Sequence, residues 1–316
     1  MKFVQRRAFQ RALAATAIAA AMTTTAGTAL AAGNPSDGAA RQQARAEAQH
    51  RAHSPSGLSA PRGAAQARVE TPTFSMTAVD KKTGNLYLYF PDGEGGFKAR
   101  DDIGVDFSFA AFEAQVDNDK DGYGESTWHV EKSGRLTYTY HASEWDVETK
   151  TIGDGWQIYD KVLSPGNLAG AGEADIIARD KDGVLWLYLG YPDGRVTART
   201  RIGGGWGQYT EIAGQGDLNG DGITDIVARD KDGVLWLYKG NGDRTDPFGQ
   251  RTRIGGGWNA YDRILSIGDL DHDGRTDLVA RAVNGDLYRY SGNGASGDPF
   301  NDRVKIGWGF GIYDLL

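Results

Sequence analysis

Asp217-Leu-Asn-Gly-Asp-Gly-Ile-Thr-Asp225 is the stretch that decides how this chain is read. It returns as Asp269-Leu-Asp-His-Asp-Gly-Arg-Thr-Asp277, and an earlier copy runs Asp117-Asn-Asp-Lys-Asp-Gly-Tyr-Gly-Glu125. Each copy places oxygen-bearing side chains at positions 1, 3, 5 and 9 and glycine at 6. That spacing suits Ca2+, a hard cation that takes six to eight oxygen ligands at about 2.3–2.6 Å. Mg2+ is a poorer fit because it gives up its waters reluctantly.

The expected ligands are Asp117, Asp119, Asp121 and Glu125 in the first copy. They are Asp217, Asn219, Asp221 and Asp225 in the second, and Asp269, Asp271, Asp273 and Asp277 in the third. The backbone carbonyls of Tyr123, Ile223 and Arg275 complete the sets from position 7. An EF-hand is excluded: it needs an acid at position 12, where this chain has Trp128, Ala228 and Ala280. A plain acidic turn is the alternative, but carboxylates crowded into one short loop repel each other unless a cation is present. About three structural Ca2+ ions are expected.

The loops belong to a longer repeat. A hairpin word recurs at Asp80–Tyr89, Glu131–Tyr140, Arg179–Tyr188, Arg229–Tyr238 and Arg281–Tyr290. Its central glycines, Gly84, Gly134, Gly183, Gly233 and Gly285, are spaced by 50, 49, 50 and 52 residues. A second word follows each time, at Ile103–Phe107, Ile152–Trp156, Ile202–Trp206, Ile254–Trp258 and Ile306–Phe310. Each period holds four short β segments, such as 260–267, 276–282, 286–290 and 303–306, separated by turns rich in Gly, Asn and Asp. Four strands at a period near fifty residues predict an all-β, five-bladed β-propeller.

The two ends predict how the ring closes. The last residues, 311–316, read as an innermost strand with no successor. They are expected to pair with the strand near 73–79, completing blade 1 and removing open edges. Blade 1 then has no metal loop because the chain starts just after that position. Blade 3 has the position, but Asn167-Leu-Ala-Gly-Ala-Gly-Glu-Ala-Asp175 puts Ala169 and Ala171 where ligands should be. Metal is therefore expected in blades 2, 4 and 5.

Composition sets the boundaries. Residues 1–32 read as a secretion signal: Lys2, Arg6, Arg7 and Arg11, an apolar run from Ala12 to Met22, and Ala29-Leu30-Ala31 as a cleavage site. The run is too short to span a bilayer. Arg6-Arg7-Ala8-Phe9-Gln10-Arg11 resembles a twin-arginine export signal, with an ordinary secretion signal as the alternative. Residues 33–70 contain no Phe, Tyr, Trp or Ile and read as a disordered linker. Residues 71–316 hold all eight tryptophans and form the domain. The chain has no cysteine and a net charge of −7, concentrated in the metal loops, which makes nucleic acid an unlikely partner. A secreted monomer is expected.

The tryptophans divide into two groups. Trp156, Trp206 and Trp258 follow sharp glycine turns and are the candidate ligand-binding residues, as platforms for a sugar ring; repeated packing residues are the alternative. Trp186 and Trp236 lie inside the continuously apolar hairpin strands and read as core. No catalytic constellation stands out. His50 and His53 fall in the linker, His129 and His141 in blade 2, and His272 in a metal loop, so a non-enzyme is expected.

The loops within a four-strand period resemble the FG-GAP/VCBS repeats of integrin-α-like propellers, although the literal FG and GAP words are missing. The resemblance implies the propeller fold and the calcium. Integrin ligand binding is not carried over with it. The string Gln250-Arg-Thr-Arg-Ile-Gly-Gly-Gly-Trp258 is also similar to the tachylectin-type five-bladed lectins, which bind amino sugars between neighbouring blades but lack the calcium loops. Together these imply a binding module for a cell-surface glycan. A protein–protein adhesion or inhibitor scaffold acting on a secreted protein is the second reading, and a glycoside-active enzyme the third.

Overall fold

The structure is a computed structural model, and it describes residues 71–316 apart from 119, 144, 145 and 171. The expected signal (1–32) and linker (33–70) lie outside the described residues.

Five antiparallel four-stranded sheets make up the domain. Blade 2 runs Ala110–Val116, Ser126–Glu131, Leu136–Ser143 and Asp146–Gly153 from its inner to its outer strand. Blade 3 is Tyr159–Gly166, Asp175–Asp180, Leu185–Tyr188 and Thr200–Gly203. Blade 4 is Tyr209–Ala213, Ile226–Asp230, Leu235–Tyr238 and Thr252–Gly255. Blade 5 is Tyr261–Leu265, Leu278–Ala282, Leu287–Tyr290 and Val304–Gly307.

Blade 1 is built from both ends of the domain. Met76–Asp80, Asn85–Tyr89 and Asp101–Asp106 supply three strands, and Tyr313–Leu315 supplies the innermost. The closing register sets Ala78 opposite Leu315, Val79 opposite Asp314 and Asp80 opposite Tyr313. This is the closure the sequence predicts, and its seam is a packed core. Leu265, Ile267, Leu270, Val279 and Leu287 of blade 5 bury against Phe74, Met76, Ala78, Phe310 and Leu315. Each of these side chains larger than alanine contributes roughly 1.5–3 kcal/mol when taken out of water.

The other seams work alike, because both faces of a blade meet a neighbour. In blade 3, Leu185 and Leu187 pack with blade 4, while Trp186 and Tyr188 turn towards Leu136 and Tyr138 of blade 2. Buried arginines at the start of the hairpin word fasten consecutive blades. Arg179 donates from Nη1 to the carbonyls of Trp206 and Tyr209, and its Nε lies 2.8 Å from Asp160. Arg281 does the same to Phe310 and Tyr313, holding Asp262 at 2.7 Å.

The antiparallel order sorts the loops onto two ends of the ring. First-to-second-strand loops, the expected metal loops, share one end with the third-to-fourth-strand loops. Tight hairpins and blade-to-blade links share the other.

Candidate functional site

The expected metal loops and their blade 3 counterpart share left-handed backbone at two positions. Position 4 is left-handed in every copy: Lys120 (φ 60), Gly170 (φ 92), Gly220 (φ 84) and His272 (φ 58). Position 6 is also left-handed, at Gly122, Gly172, Gly222 and Gly274. A side chain there would be strained, which explains the unvarying glycine at 6.

In blade 5 the loop gathers Asp269, Asp271 and Asp273 so that one carboxylate oxygen of each lies within 4.8 Å of the others. Asp271 Oδ1 is buried without a hydrogen-bond partner. Its Oδ2 lies 3.0 Å from Arg289 Nη1 and accepts from Ser291 Oγ at 3.1 Å. Three converging carboxylates and one orphaned oxygen are a donor set that fits a hard cation. The position 1 aspartate also shapes the loop: Asp269 accepts the amides of Asp273 and Gly274 at 3.1 and 2.7 Å.

Blade 4 repeats this arrangement, with Asp217 accepting from Asn219, Gly220 and Gly222, and Asp221 from Ile223. In blade 2, Asp117 accepts from Asp121 and Gly122, and Asp121 from Tyr123. Asp119, the expected position 3 ligand there, lies outside the described residues.

Position 9 has a job that needs no ion. Asp225 is fully buried and accepts the amides of Leu218, Asn219 and Gly240 at 3.1, 3.2 and 2.8 Å. Asp277 accepts from Leu270 and Gly292, and Glu125 from Asn118. In blade 3, where the ligands are gone, Asp175 keeps the same bonds to Leu168, Ala169 and Gly190 at 3.0, 2.9 and 3.0 Å. Burial raises Asp175 to about 7, Asp225 to about 6 and Asp277 to about 7, against the pull of these amides. Position 9 therefore ties the loop to its own blade whether or not metal is present.

The structure buries the tryptophans read as candidate ligand platforms, and leaves the two read as core partly buried and packed against the seams. Trp156, Trp206 and Trp258 are each only 6% exposed. They stack on Tyr188, Tyr238 and Tyr290 with ring centroids 4.7, 4.6 and 4.6 Å apart. This corrects the sugar-platform reading, because rings so enclosed leave no face for a ligand. Trp186 and Trp236, read as core, are instead half-buried, each covered by an exposed guanidinium 4.0 Å from the ring: Arg199 and Arg251.

These arginines head a cluster that recurs in four of the five blades. Arg199 lies over Trp186 and donates to Tyr159 Oη at 3.1 Å, and Tyr159 shares a hydrogen bond with Tyr188. Arg251 lies over Trp236 and donates to Tyr209, which bonds Tyr238. Arg303 lies over Tyr288 and donates to Tyr261 at 2.7 Å, and Tyr261 bonds Tyr290. Arg100 lies over Tyr87 and donates to Tyr313.

In blades 3 and 4 a carboxylate completes the set, as Asp180 and Asp230 accept from the indoles of Trp186 and Trp236 at 2.8 and 2.7 Å. Blade 2 replaces the whole cluster. Thr149, Thr137, Ala110 and Thr139 stand where the others have arginine, aromatic ring and two tyrosines, and Thr139 bonds Thr149 at 3.1 Å. Four positions that change together within one repeat behave as one unit. A sequence signal was available: an arginine three residues before the isoleucine of the second word in every blade but the second.

The ring axis holds a cavity of about 90 Å³ lined by the innermost strands. Its glutamates are engaged. Lys161 and Arg263 approach Glu211 at 3.0 and 3.4 Å, while Glu113 accepts from Thr77 at 2.8 Å and faces His129 at 3.7 Å. One further aromatic stands apart: Trp308 is 81% exposed, at a position occupied by Gly204 and Gly256 in blades 3 and 4.

Residues 168–228 and 217–280 match the FG-GAP-like repeat family, so blades 3 to 5 carry FG-GAP-like repeats. No curated protein matches the chain. Among solved structures, it is similar to Prp20p from Saccharomyces cerevisiae, with 11% identity, a TM-score of 0.35, and 71% of this chain and 59% of that one covered. The chain thus spans less than two thirds of Prp20p. It is also similar to an arginine mutant of AofleA from Arthrobotrys oligospora (11% identity, TM-score 0.44, 75% and 72% covered). A third is the BP39L lectin from Burkholderia pseudomallei (14% identity, TM-score 0.44, 72% and 68% covered).

Proposed function

We propose that the chain is a secreted, calcium-loaded binding module that recognises carbohydrate at the grooves between its blades and carries out no catalysis of its own. The observation that carries this reading is the recurrence of the arginine–aromatic–tyrosine cluster on four blades, with its wholesale replacement in blade 2. Each cluster joins an exposed guanidinium, a half-open or buried ring and phenolic hydroxyls, a mix of apolar surface and directed polar groups that suits a sugar. Burial, then the bond to Tyr209, pushes Tyr238 upward, so its hydroxyl stays protonated at neutral pH. Four weak sites on one rigid ring would gain by acting together on a surface-bound glycan. Calcium is assigned to blades 2, 4 and 5 as scaffold, with Asp269, Asp271 and Asp273 its best-formed donor set.

A glycan array tests the reading. Saturable binding lost on combined substitution of Arg199, Arg251 and Arg303 supports it, whereas no glycan bound by a calcium-loaded, folded chain contradicts it. A protein-binding role is the second reading, favoured by exposed Trp308 and Ile312, which is 54% exposed on the same blade-to-blade link. Pull-down of one secreted protein, abolished by Trp308→Ala, would select it. For the glycoside-active alternative, the axial pairing of Glu113 and Glu211 supports a structural role, and turnover of a polysaccharide lost in Glu211→Gln would reverse that.

A further inference from the structure

The chain enters the ring through Thr71–Phe74, where the other blades have a first-to-second-strand loop, and this lead-in segment is held by the proposed metal loops of blades 2 and 5 at once. On one side it meets blade 5. The Asp269 amide donates to Pro72 O at 3.1 Å, Thr73 Oγ1 donates to the Asp269 carbonyl at 2.7 Å, and Thr71 Oγ1 donates to the Gly274 carbonyl at 3.0 Å. On the other side it meets blade 2, where the Thr73 amide donates to the Gly122 carbonyl at 2.9 Å and Thr73 forms a parallel bridge with Tyr123. The Phe74 amide donates to the Ile267 carbonyl at 2.8 Å.

The contacts fall on loop positions 1 and 6 of blade 5 and on positions 6 and 7 of blade 2, the backbone that an ion in each loop would fix. The approach is close: a Cβ on Gly268 would sit 1.6 Å from Pro72 O, which demands glycine there. Elsewhere on this end, neighbouring loops are joined by bonds such as Gly216 N–H to Pro165 O and Thr276 Oγ1 to Gln215 O.

We infer that Thr71–Phe74 is a calcium-controlled latch: ions in blades 2 and 5 hold the backbone acceptors that seat it, and their loss frees the start of the domain at the ring seam. This rests on the calcium reading above. Without the ions, Asp269, Asp271 and Asp273 lie within 4.8 Å of one another with Arg289 and Arg275 as partial counter-charges at 3.0 and 3.5 Å, and their remaining repulsion loosens the loop that supplies three of the latch bonds. Linkage makes the coupling reciprocal, so weakening the latch must also weaken ion binding in these two loops.

Hydrogen exchange of the Thr73 and Phe74 amides, measured on the full chain with Ca2+ and with excess EDTA, tests this. Removing the ion should speed both amides by roughly tenfold or more, as expected when a local opening becomes easier. Asp273→Ala and Asp121→Ala should do the same in saturating Ca2+, and Asp221→Ala in distant blade 4 should not. Thr73→Val leaves every expected ligand in place and should weaken Ca2+ binding about three- to tenfold at blade 5. If EDTA lowers the melting temperature but leaves these amides unchanged, the latch is wrong and the calcium reading stands. If neither responds, the calcium reading fails and the latch with it.

Discussion

Blades 3 and 4 share the hairpin word Arg-Asp-Lys-Asp-Gly-Val-Leu-Trp-Leu-Tyr residue for residue, yet one has lost two expected metal ligands and the other has kept them. Their loops are nevertheless held alike. Asp175 and Asp225 accept from equivalent amides, and the glycines at positions 4 and 6 turn the same way in both. The loop's shape therefore comes from glycine and a buried anchor. On the proposed reading an ion would be an addition to a shape already made, and would contribute stability that grows with the logarithm of its concentration over its dissociation constant.

The hardest test of that comparison removes the anchor. Asp175→Ala and Asp225→Ala each orphan three buried amide donors, at roughly 1–3 kcal/mol apiece. Both should cost about 3 kcal/mol or more in urea unfolding, and the blade 3 variant should do so whether Ca2+ is present or not. A blade 3 loss that appears only with Ca2+ would break the comparison.

A gentler test uses pH. Burial raises Asp175 to about 7 from 3.8, so the folded chain holds this proton more tightly than the unfolded chain. Its contribution to stability is complete below about pH 4 and is lost as pH rises through 7, with a slope of at most about 1.4 kcal/mol per pH unit. Asp175→Asn should flatten that part of the profile between pH 5 and 8 in metal-free buffer. An unchanged profile would mean the amides, not burial, govern this carboxyl.

The comparison sharpens if blade 3 is given back its ligands. Ala169→Asn with Ala171→Asp copies Asn219 and Asp221, and should add one bound ion and raise the melting temperature by a few degrees. The smallest expected effect on stability is at the rim. Arg199→Ala and Arg251→Ala remove exposed guanidiniums over matching indoles and should each cost under about 1 kcal/mol. Glycan binding should weaken equally in the two, because the grooves match.

The ring, its closure and the loop positions were legible in the chain because each depends on spacing, and spacing survives in sequence. The proposed ligand surface was not. Whether Trp236 or Trp206 is the more exposed depends on what surrounds it: Tyr238 and Phe248 close over Trp206, while Trp236 packs against the seam with blade 3 and carries an exposed arginine over its ring. A continuous apolar strand reads as buried on both faces, but near the rim one face runs out of neighbour. The latch was equally hidden, because Thr73 bonds to residues far along the chain at Asp269 and nearby at Gly122 only once the ring has closed.

The most direct check is the number of calcium ions on the purified chain, counted by native mass spectrometry after dialysis against low Ca2+. Three ions are predicted, falling to two in Asp221→Ala and unchanged on substituting Ala169 with Val. A metal-free chain with the same melting temperature in Ca2+ and EDTA would contradict the account.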